Sequence, residues 1–305
     1  MKSQPNLLSV GALTYDTIFQ LDTLPVTPGK FLPSAAIQGA AGMASSAATG
    51  AKRHGADVSL WATVGQDPIG EILISEMQAE GIDCSRIRRV PGGRSAIAAI
   101  LIDQHGERLI VPYYDPVTYA APDQHAPAFE RFDAILVDTR WPDAAAMALE
   151  AAKRHGIPGI LDADVAPVAI LQRLLPLASH VVASLPACHL LFGAQTKAAE
   201  ATEHLHATTG VFVAVTDGSH GTFWREKDAP LQHIPSFEVK AVDTLAAGDI
   251  FHGVFAAALA EGEKPAQAIK LASAAAAIKC TRFGGRLGAP TRAETFAFLA
   301  EREKI

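Results

Sequence analysis

The sequence predicts an α/β fold of three layers, with helices on both faces of a mainly parallel central sheet and a small β-sheet set outside it. Three observations carry this expectation. From Asp133 onward, short apolar runs alternate with helical segments, the pattern of a parallel sheet covered on both sides. Before that point, short strands with turn residues between them read as a separate small sheet. The chain has 305 residues, 49% hydrophobic and 19% charged, enough for one large α/β domain with a substantial core. We therefore read residues 1–305 as a single domain, with lid strands from about 15–38 and 94–114.

The elements follow in order. Residues 7–13 read as a buried strand ending at Gly11-Ala12, with Asp16 shortly after it. Residues 17–21 and 31–37 read as two short strands around a turn holding Pro25, Pro28 and Gly29, and Lys30 stands at the start of the second. Residues 41–55 form a long Ala-rich helical segment closed by Gly55. Residues 58–64 make a strand that meets the turn Gly65-Gln66-Asp67-Pro68-Ile69-Gly70. Residues 96–103 and 108–113 alternate and are joined by Gln104-His105-Gly106-Glu107, a hairpin signal. Strands follow at 134–137, 157–161, 180–183 and 211–216, with a helix at 143–155 and further helices between.

Ligands of parallel sheets gather outside the strand carboxyl ends. Asp138-Thr139-Arg140-Trp141, Asp162-Ala163-Asp164 and Thr216-Asp217-Gly218-Ser219-His220-Gly221 all stand at such ends. Residues 274–288 form an Ala-rich helix running into a glycine turn. No linker, composition break or internal repeat divides the chain.

Composition excludes several classes. The net charge is −6, so nothing points to nucleic acid or an anionic membrane as partner. No apolar run reaches the roughly 20 residues that span a bilayer. The amino-terminal stretch, residues 1–6, lacks the apolar run of a secretory leader, and we expect a cytoplasmic protein. Cys84, Cys188 and Cys280 are few, odd in number and far apart, which argues against a disulfide framework or a zinc site.

The chemistry concentrates in the stretch from Val242 to Gly253. A strand or turn delivers Ala246, Ala247 and Gly248 to the start of a helix spanning residues 250–261. The first turn of a helix has unpaired N–H groups and the positive end of the dipole. Small residues there let the backbone approach a phosphate. Asp249 then sits beside an anion site, where a carboxylate suits proton removal from a hydroxyl attacking that phosphate. The plainer alternative is a small-residue helix start with an acidic cap.

Asp243-Thr244-Leu245-Ala246-Ala247-Gly248-Asp249 resembles the carboxyl-terminal signature of the ribokinase-like (PfkB-type) carbohydrate kinases, Asp-Thr-x-(Gly/Ala)-Ala-Gly-Asp. Val64-Gly65-Gln66-Asp67-Pro68-Ile69-Gly70 is similar to the second half of the amino-terminal signature. The first half departs from it: Ala41 replaces a Gly, and Ser46 stands where a sugar-holding Asn is usual. The resemblance implies the ribokinase-like sandwich, with a lid that covers the sugar and often dimerises. It implies ATP and Mg²⁺ as cofactors, and K⁺ as a possible third with Asp243 at its site. Asp249 would be the base, with Ala246, Ala247 and Gly248 lending amides to the developing charge. Asp16, Lys30, Gly42, Ser46 and Arg140 would hold the sugar. Thr216, Gly218, Ser219, Gly221, Ala277 and Gly285 would flank the nucleotide. Many members carry Asn-x-x-Glu near Mg²⁺ where this chain has Ser184-Leu185-Pro186-Ala187, which leaves Asp162 and Asp164 as the nearest replacements by position.

Within the family, the chain is most similar to the sulfofructose kinase branch. Arg140-Trp141, Leu161-Asp162-Ala163-Asp164 and Lys279-Cys280-Thr281-Arg282-Phe283-Gly284-Gly285-Arg286 carry that likeness. Arg140 offers a planar fork for a sulfonate, and Lys30 a point charge. Pro112 departs, standing where the branch has a sugar-contacting Asn; Tyr113, Tyr114 and Asp115 are the nearby side chains able to compensate. The expected reaction is phosphoryl transfer from ATP to a primary hydroxyl of a ketose. The alternatives are a fructokinase, a ribokinase, a 2-keto-3-deoxygluconate kinase, or a non-catalytic sugar or nucleotide sensor on the same fold. A Rossmann dehydrogenase needs Gly-x-Gly-x-x-Gly after the first strand, and Gly11-Ala12-Leu13-Thr14 does not supply it.

Overall fold

The computed structural model of the chain describes residues 4–122 and 126–302. Residues 1–3, half of the stretch read above for a leader, fall outside them. The first half of the chain contains β1 (Asn6–Gly11), β2 (Thr14–Gln20), β3 (Ala35–Ala41), α1 (Met43–Arg53), β4 (Asp57–Gly65) and α2 (Pro68–Ala79). Next come β5 (Arg88–Val90), β6 (Ala96–Ile102), β7 (Arg108–Tyr113), β8 (Ala134–Val137) and α3 (Pro142–His155). The second half continues with β9 (Gly159–Ala163), α4 (Val168–Leu174), β10 (His180–Ser184), α5 (Leu185–Phe192) and α6 (Ala198–Thr209). It closes with β11 (Phe212–Thr216), β12 (Thr222–Arg225), β13 (Gln232–Ile234), α7 (Ala247–Ala260), α8 (Pro265–Cys280) and α9 (Arg292–Arg302).

The large sheet runs in the order β13-β12-β11-β10-β9-β8-β1-β4-β5. From β11 to β5 every neighbouring pair is parallel, and only β12 runs against its neighbours. The core strands are apolar on both faces because both faces are covered. Leu7 of β1 packs on one side with residues of α1, α2, α7, α8 and α9. Leu8 and Val10 pack on the other with α3, α4, α5 and α6. Each fully buried leucine contributes about 2 kcal/mol. The helix pair α1–α7 lies closer than most side chains permit: a Cβ on Gly253 would stand 1.9 Å from the carbonyl oxygen of Ala47.

The small sheet has the order β3-β2-β6-β7, with β2 and β6 parallel and the outer pairs antiparallel. Ile18, Ala98, Ile100 and Ile102 of this sheet pack against Leu245, which precedes α7. The small sheet is thereby fastened to the loop that leads into α7.

Several boundaries differ from those read in the sequence. The strand expected at 31–37 is β3, and it starts only at Ala35 and runs to Ala41. Its Ala- and Gly-rich stretch has weak strand preference, and pairing with β2 overrides it. The turn from Gly65 continues into α2, with Pro68 at its first position and Asp67 accepting from Gly70 N at 2.7 Å. Of the strand or turn read ahead of α7, residues 242–246 form the turn. Among the described residues, no helix is long and apolar enough to cross a membrane.

Candidate active site

The lid and the carboxyl ends of β9, β10 and β11 enclose a cleft of about 930 Å³, with the start of α7 at its centre. That volume suits a nucleotide and a small sugar together.

The floor of the cleft is the first turn of α7. Ala246 caps this helix in the left-handed conformation with φ 62°, the one non-glycine residue so placed among the described residues. The cap turns the following amides toward the cleft. The Ala247 amide bends back to the Thr244 carbonyl at 3.3 Å. Among the described residues, the amides of Ala246, Gly248 and Asp249 meet no protein acceptor. A row of unpaired donors at a helix start is a ready anion site. Relative to the expectation from sequence, the Asp249 amide joins the hole and Ala247 is partly occupied.

Asp249 lines the cleft, and burial followed by the nearby charge of Asp162 pushes its pKa well above the usual carboxylate range. Asp162 is raised likewise, by burial and then by Asp164 and Asp138. Asp138, Asp162, Asp164 and Asp249 are near enough to repel one another, and the Arg140 charge opposes the rise at Asp162 and Asp138. Asp138 is the anchor of this group. It accepts from Ala12 N at 2.8 Å, Ala44 N at 3.1 Å and Arg140 N at 2.8 Å, so one carboxylate joins β1, α1 and the loop after β8. Gly11 makes this possible, since a Cβ there would lie 2.1 Å from Asp138 Oδ1.

The end of the cleft where a sugar is expected is built from β2, α1, β7 and the loop after β8. Asp16 is buried beside Thr14, whose hydroxyl donates to it at 2.5 Å. Burial outweighs that bond and raises the Asp16 pKa from 3.8 to about 6. Gly42 and Ser46 line the cleft, and the buried Ser46 hydroxyl has no protein partner. Arg140 donates to Val165 O at 2.8 Å and stands 4.0 Å from Asp164 Oδ2, while its remaining surface faces the cleft. Tyr114 and Pro112 line the cleft beside it. Of the neighbours weighed as compensation for Pro112, Tyr113 bonds outward to Arg94, and Asp115 is held by Arg94 N and Val117 N. Tyr114 is the one that reaches the cleft. Lys30 does not: it lies in the exposed loop between β2 and β3, outside the cleft lining. The four loop residues 31–34 separate it from β3, the strand whose start was expected to aim it inward.

The end where a nucleotide is expected is lined by Thr216 at the end of β11, by Gly218, Ser219 and Gly221 after it, and by Ala277 of α8 and Gly285. Ser236 clamps this turn by donating to Ser219 O at 2.5 Å. The His220 side chain in this turn is 74% exposed.

Sequence reasoning missed four groups. Ser184, read as a lost Mg²⁺ ligand, caps α5 and donates to Asp164 Oδ1 at 2.8 Å, so its hydroxyl still orients the acid. Thr244 ties the lid down: its hydroxyl donates to Gly106 O at 2.8 Å and accepts from Arg108 at 2.6 Å. His252 lies one turn beyond Gly248, and its Nδ1 meets the Gly248 carbonyl at 2.6 Å. Lys279, quoted only as part of a motif, is fully buried against Asp243, 2.9 Å from its Oδ2. Asp243 itself is buried and does not face the cleft. No group of three or more His, Cys, Asp or Glu side chains is poised to hold a metal among the described residues.

Known proteins match this architecture along the whole chain. A crystal structure from Agrobacterium tumefaciens, provisionally named a ribokinase, superimposes with TM-score 0.94 at 45% identity, covering 99% of this chain and 100% of that one. The ribokinase of Thermotoga maritima superimposes with TM-score 0.80 at 27% identity, covering 97% and 99%. The ribokinase of Haemophilus influenzae is 29% identical over 303 residues, 96% of this chain and 98% of that protein. The profile of the pfkB family carbohydrate kinases matches residues 4–292, and the chain belongs to that family.

Proposed function

We propose that the chain phosphorylates a primary hydroxyl of an anion-bearing ketose in its furanose form, with 6-deoxy-6-sulfofructose as substrate and the 1-phosphate as product. Family membership makes it an ATP-dependent carbohydrate kinase. The observation that carries the finer reading is Arg140, a guanidinium held at the sugar end of the cleft with part of its surface open to a ligand. A planar cation fits a sulfonate or phosphate oxygen pair.

In this reading Asp16 and Ser46 bind sugar hydroxyls and the lid excludes water. Asp249 takes the proton of the attacking hydroxyl as its oxygen bonds to the γ-phosphorus and ADP departs with the bridging oxygen. The amides of Ala246, Gly248 and Asp249 receive the charge that builds on the transferring group. Mg²⁺, when bound, neutralises the nucleotide phosphates. Asp162 and Asp164 would hold it, and the site suits a cation, since burial and mutual repulsion drive the Asp162 pKa up. We assign the protein to the cytoplasm, where ATP is available. Exposed Ile97, Leu109, Ile110, Val111 and Tyr113 on the lid support a homodimer formed through that sheet.

A second reading, ribose as substrate, is favoured by the names of the relatives and by Pro112, which brings no side-chain donor to the lid. Initial rates with ATP and a panel of sulfofructose, fructose, ribose and 2-keto-3-deoxygluconate separate the two. We expect the highest kcat/KM with sulfofructose, and Arg140→Met to lower it about a hundredfold while changing the ribose rate little. Preference for ribose in the wild type, untouched by Arg140→Met, would remove the anionic-ketose reading.

A further inference from the structure

Asp243 is the residue at which a K⁺ site is expected, and its surroundings do not fit one. Its Oδ1 accepts from Leu245 N at 2.7 Å. Its Oδ2 accepts from Gly284 N at 3.0 Å and Gly285 N at 2.9 Å. The remaining approach is taken by a protein ammonium: Lys279 Nζ lies 2.9 Å from Oδ2 and donates to the Asp243 carbonyl at 2.6 Å. Neither side chain has any solvent exposure. A buried carboxylate needs a cation, and a buried ammonium needs oxygens. Each supplies the other here, and the oxygens a bare monovalent ion would use are already occupied.

The position of this pair gives it a consequence for the reaction. The Asp243 carboxylate fixes the Leu245 amide, and Ala246 follows in its left-handed turn with the anion-site amides behind it. Its other oxygen fixes the turn at Gly284 and Gly285, on the nucleotide side. The carbonyl of Cys280, next to Lys279, accepts from Val242 N at 2.8 Å and Asp243 N at 3.1 Å, so α8 holds the loop twice.

We propose that Lys279 is a tethered cation: its ammonium occupies the monovalent-ion position at Asp243 and positions the anion-site loop, so that phosphoryl transfer proceeds without K⁺. Lys279 is a positioning residue, since it touches neither sugar nor phosphate. The inference rests on the anion-site reading of residues 243–249 and not on which sugar the cleft holds.

The test compares wild type, Lys279→Ala and Lys279→Met in KCl, NaCl and tetramethylammonium chloride at equal ionic strength. Wild-type rates should agree within about twofold across the three salts, and so should its unfolding temperature, which needs no sugar. Lys279→Ala should lose on the order of a hundredfold in kcat, the scale of a small misplacement of reacting groups. K⁺, NH₄⁺ or propylammonium should restore part of that rate and raise the unfolding temperature of this variant. Lys279→Met fills the space without charge and should be slow and unrescued, which a merely structural role would not produce. Saturable activation of the wild type by K⁺ over tetramethylammonium would overturn the proposal, as would Lys279→Ala at wild-type rate without added ion. If neither variant folds, the wild-type salt comparison alone decides. A chain that turned over none of the four sugars would refute the substrate reading, while its melts in the three salts would still report on Asp243.

Discussion

Nδ1 of His252 stands 3.4 Å from Oδ2 of Asp162, and both side chains are buried beneath the first turn of α7. The same imidazole reaches the Gly248 carbonyl at 2.6 Å through Nδ1 and the Val182 carbonyl at 3.2 Å through Nε2. One ring therefore ties the acid at the end of β9 and the backbone of β10 to the helix start proposed to bind phosphate. Burial holds its pKa below the ordinary histidine value, against the pull of the Gly248 carbonyl and the Asp249 charge. We predict that His252→Ala lowers kcat by about 10–100-fold through misplacement of α7 and Asp162, with the sugar KM within about threefold. His252→Gln, which restores one donor, should recover part of the loss. Steady-state kinetics of the two variants at matched folded fraction check this.

Burial of Asp16, proposed to bind the sugar, costs stability once its carboxyl ionises. The folded protein retains its proton up to about pH 6, whereas the unfolded chain loses it near 3.8. The native state thus binds more protons in that interval, and stability falls as pH rises through it. Above it the penalty is constant, roughly 2–3 kcal/mol. Asp16→Asn should unfold later than wild type at pH 8 by about 2 kcal/mol and show no gain at pH 3.5. Its sugar KM should rise at least tenfold, since a carboxylate that accepts sugar hydroxyls is gone. Denaturant melts at the two pH values and a KM determination test both halves.

Ala246 sits in a conformation that costs an L-residue about 1–2 kcal/mol, partly offset in glycine by lost chain entropy. Ala246→Gly should leave activity near wild type and raise stability by about 0.5 kcal/mol. Ala246→Val should lose about 2 kcal/mol and most of the activity, because a β-branched side chain resists that turn. Thermal melts and rates on the two variants settle the direction.

The acids beside β9 should govern the metal. Asp164→Ala should raise the Mg²⁺ concentration for half-maximal rate by about tenfold, and Ser184→Ala, which only loosens Asp164, by less. A Mg²⁺ titration at fixed ATP reads this directly. An unchanged midpoint in Asp164→Ala would take that residue out of the role.

The sheet was legible because parallel strands buried on both faces read as apolar runs: 134–137 became β8 without adjustment. Residues 246–249 were legible as a helix start because small residues ahead of an amphipathic segment let the chain turn into α7, and that turn lines the cleft. The Ala-rich β3 was misplaced because its strand character comes from pairing with β2 and not from its own side chains. Lys30 was misread because loop geometry, which sequence does not encode locally, decides where a long side chain ends up. Lys279 and Ser184 were missed because their partners, Asp243 and Asp164, are 36 and 20 residues away, and only the fold brings each pair together.

The most direct test of the account is single-turnover and steady-state phosphoryl transfer from ATP by Asp249→Asn beside wild type, with the best sugar of the panel. The account predicts a loss of 10²–10⁴-fold or more in kcat, roughly the contribution of a positioned base, with nucleotide and sugar affinity within about threefold. A variant that transfers phosphate at the wild-type rate, or that fails only through lost sugar binding, would contradict it.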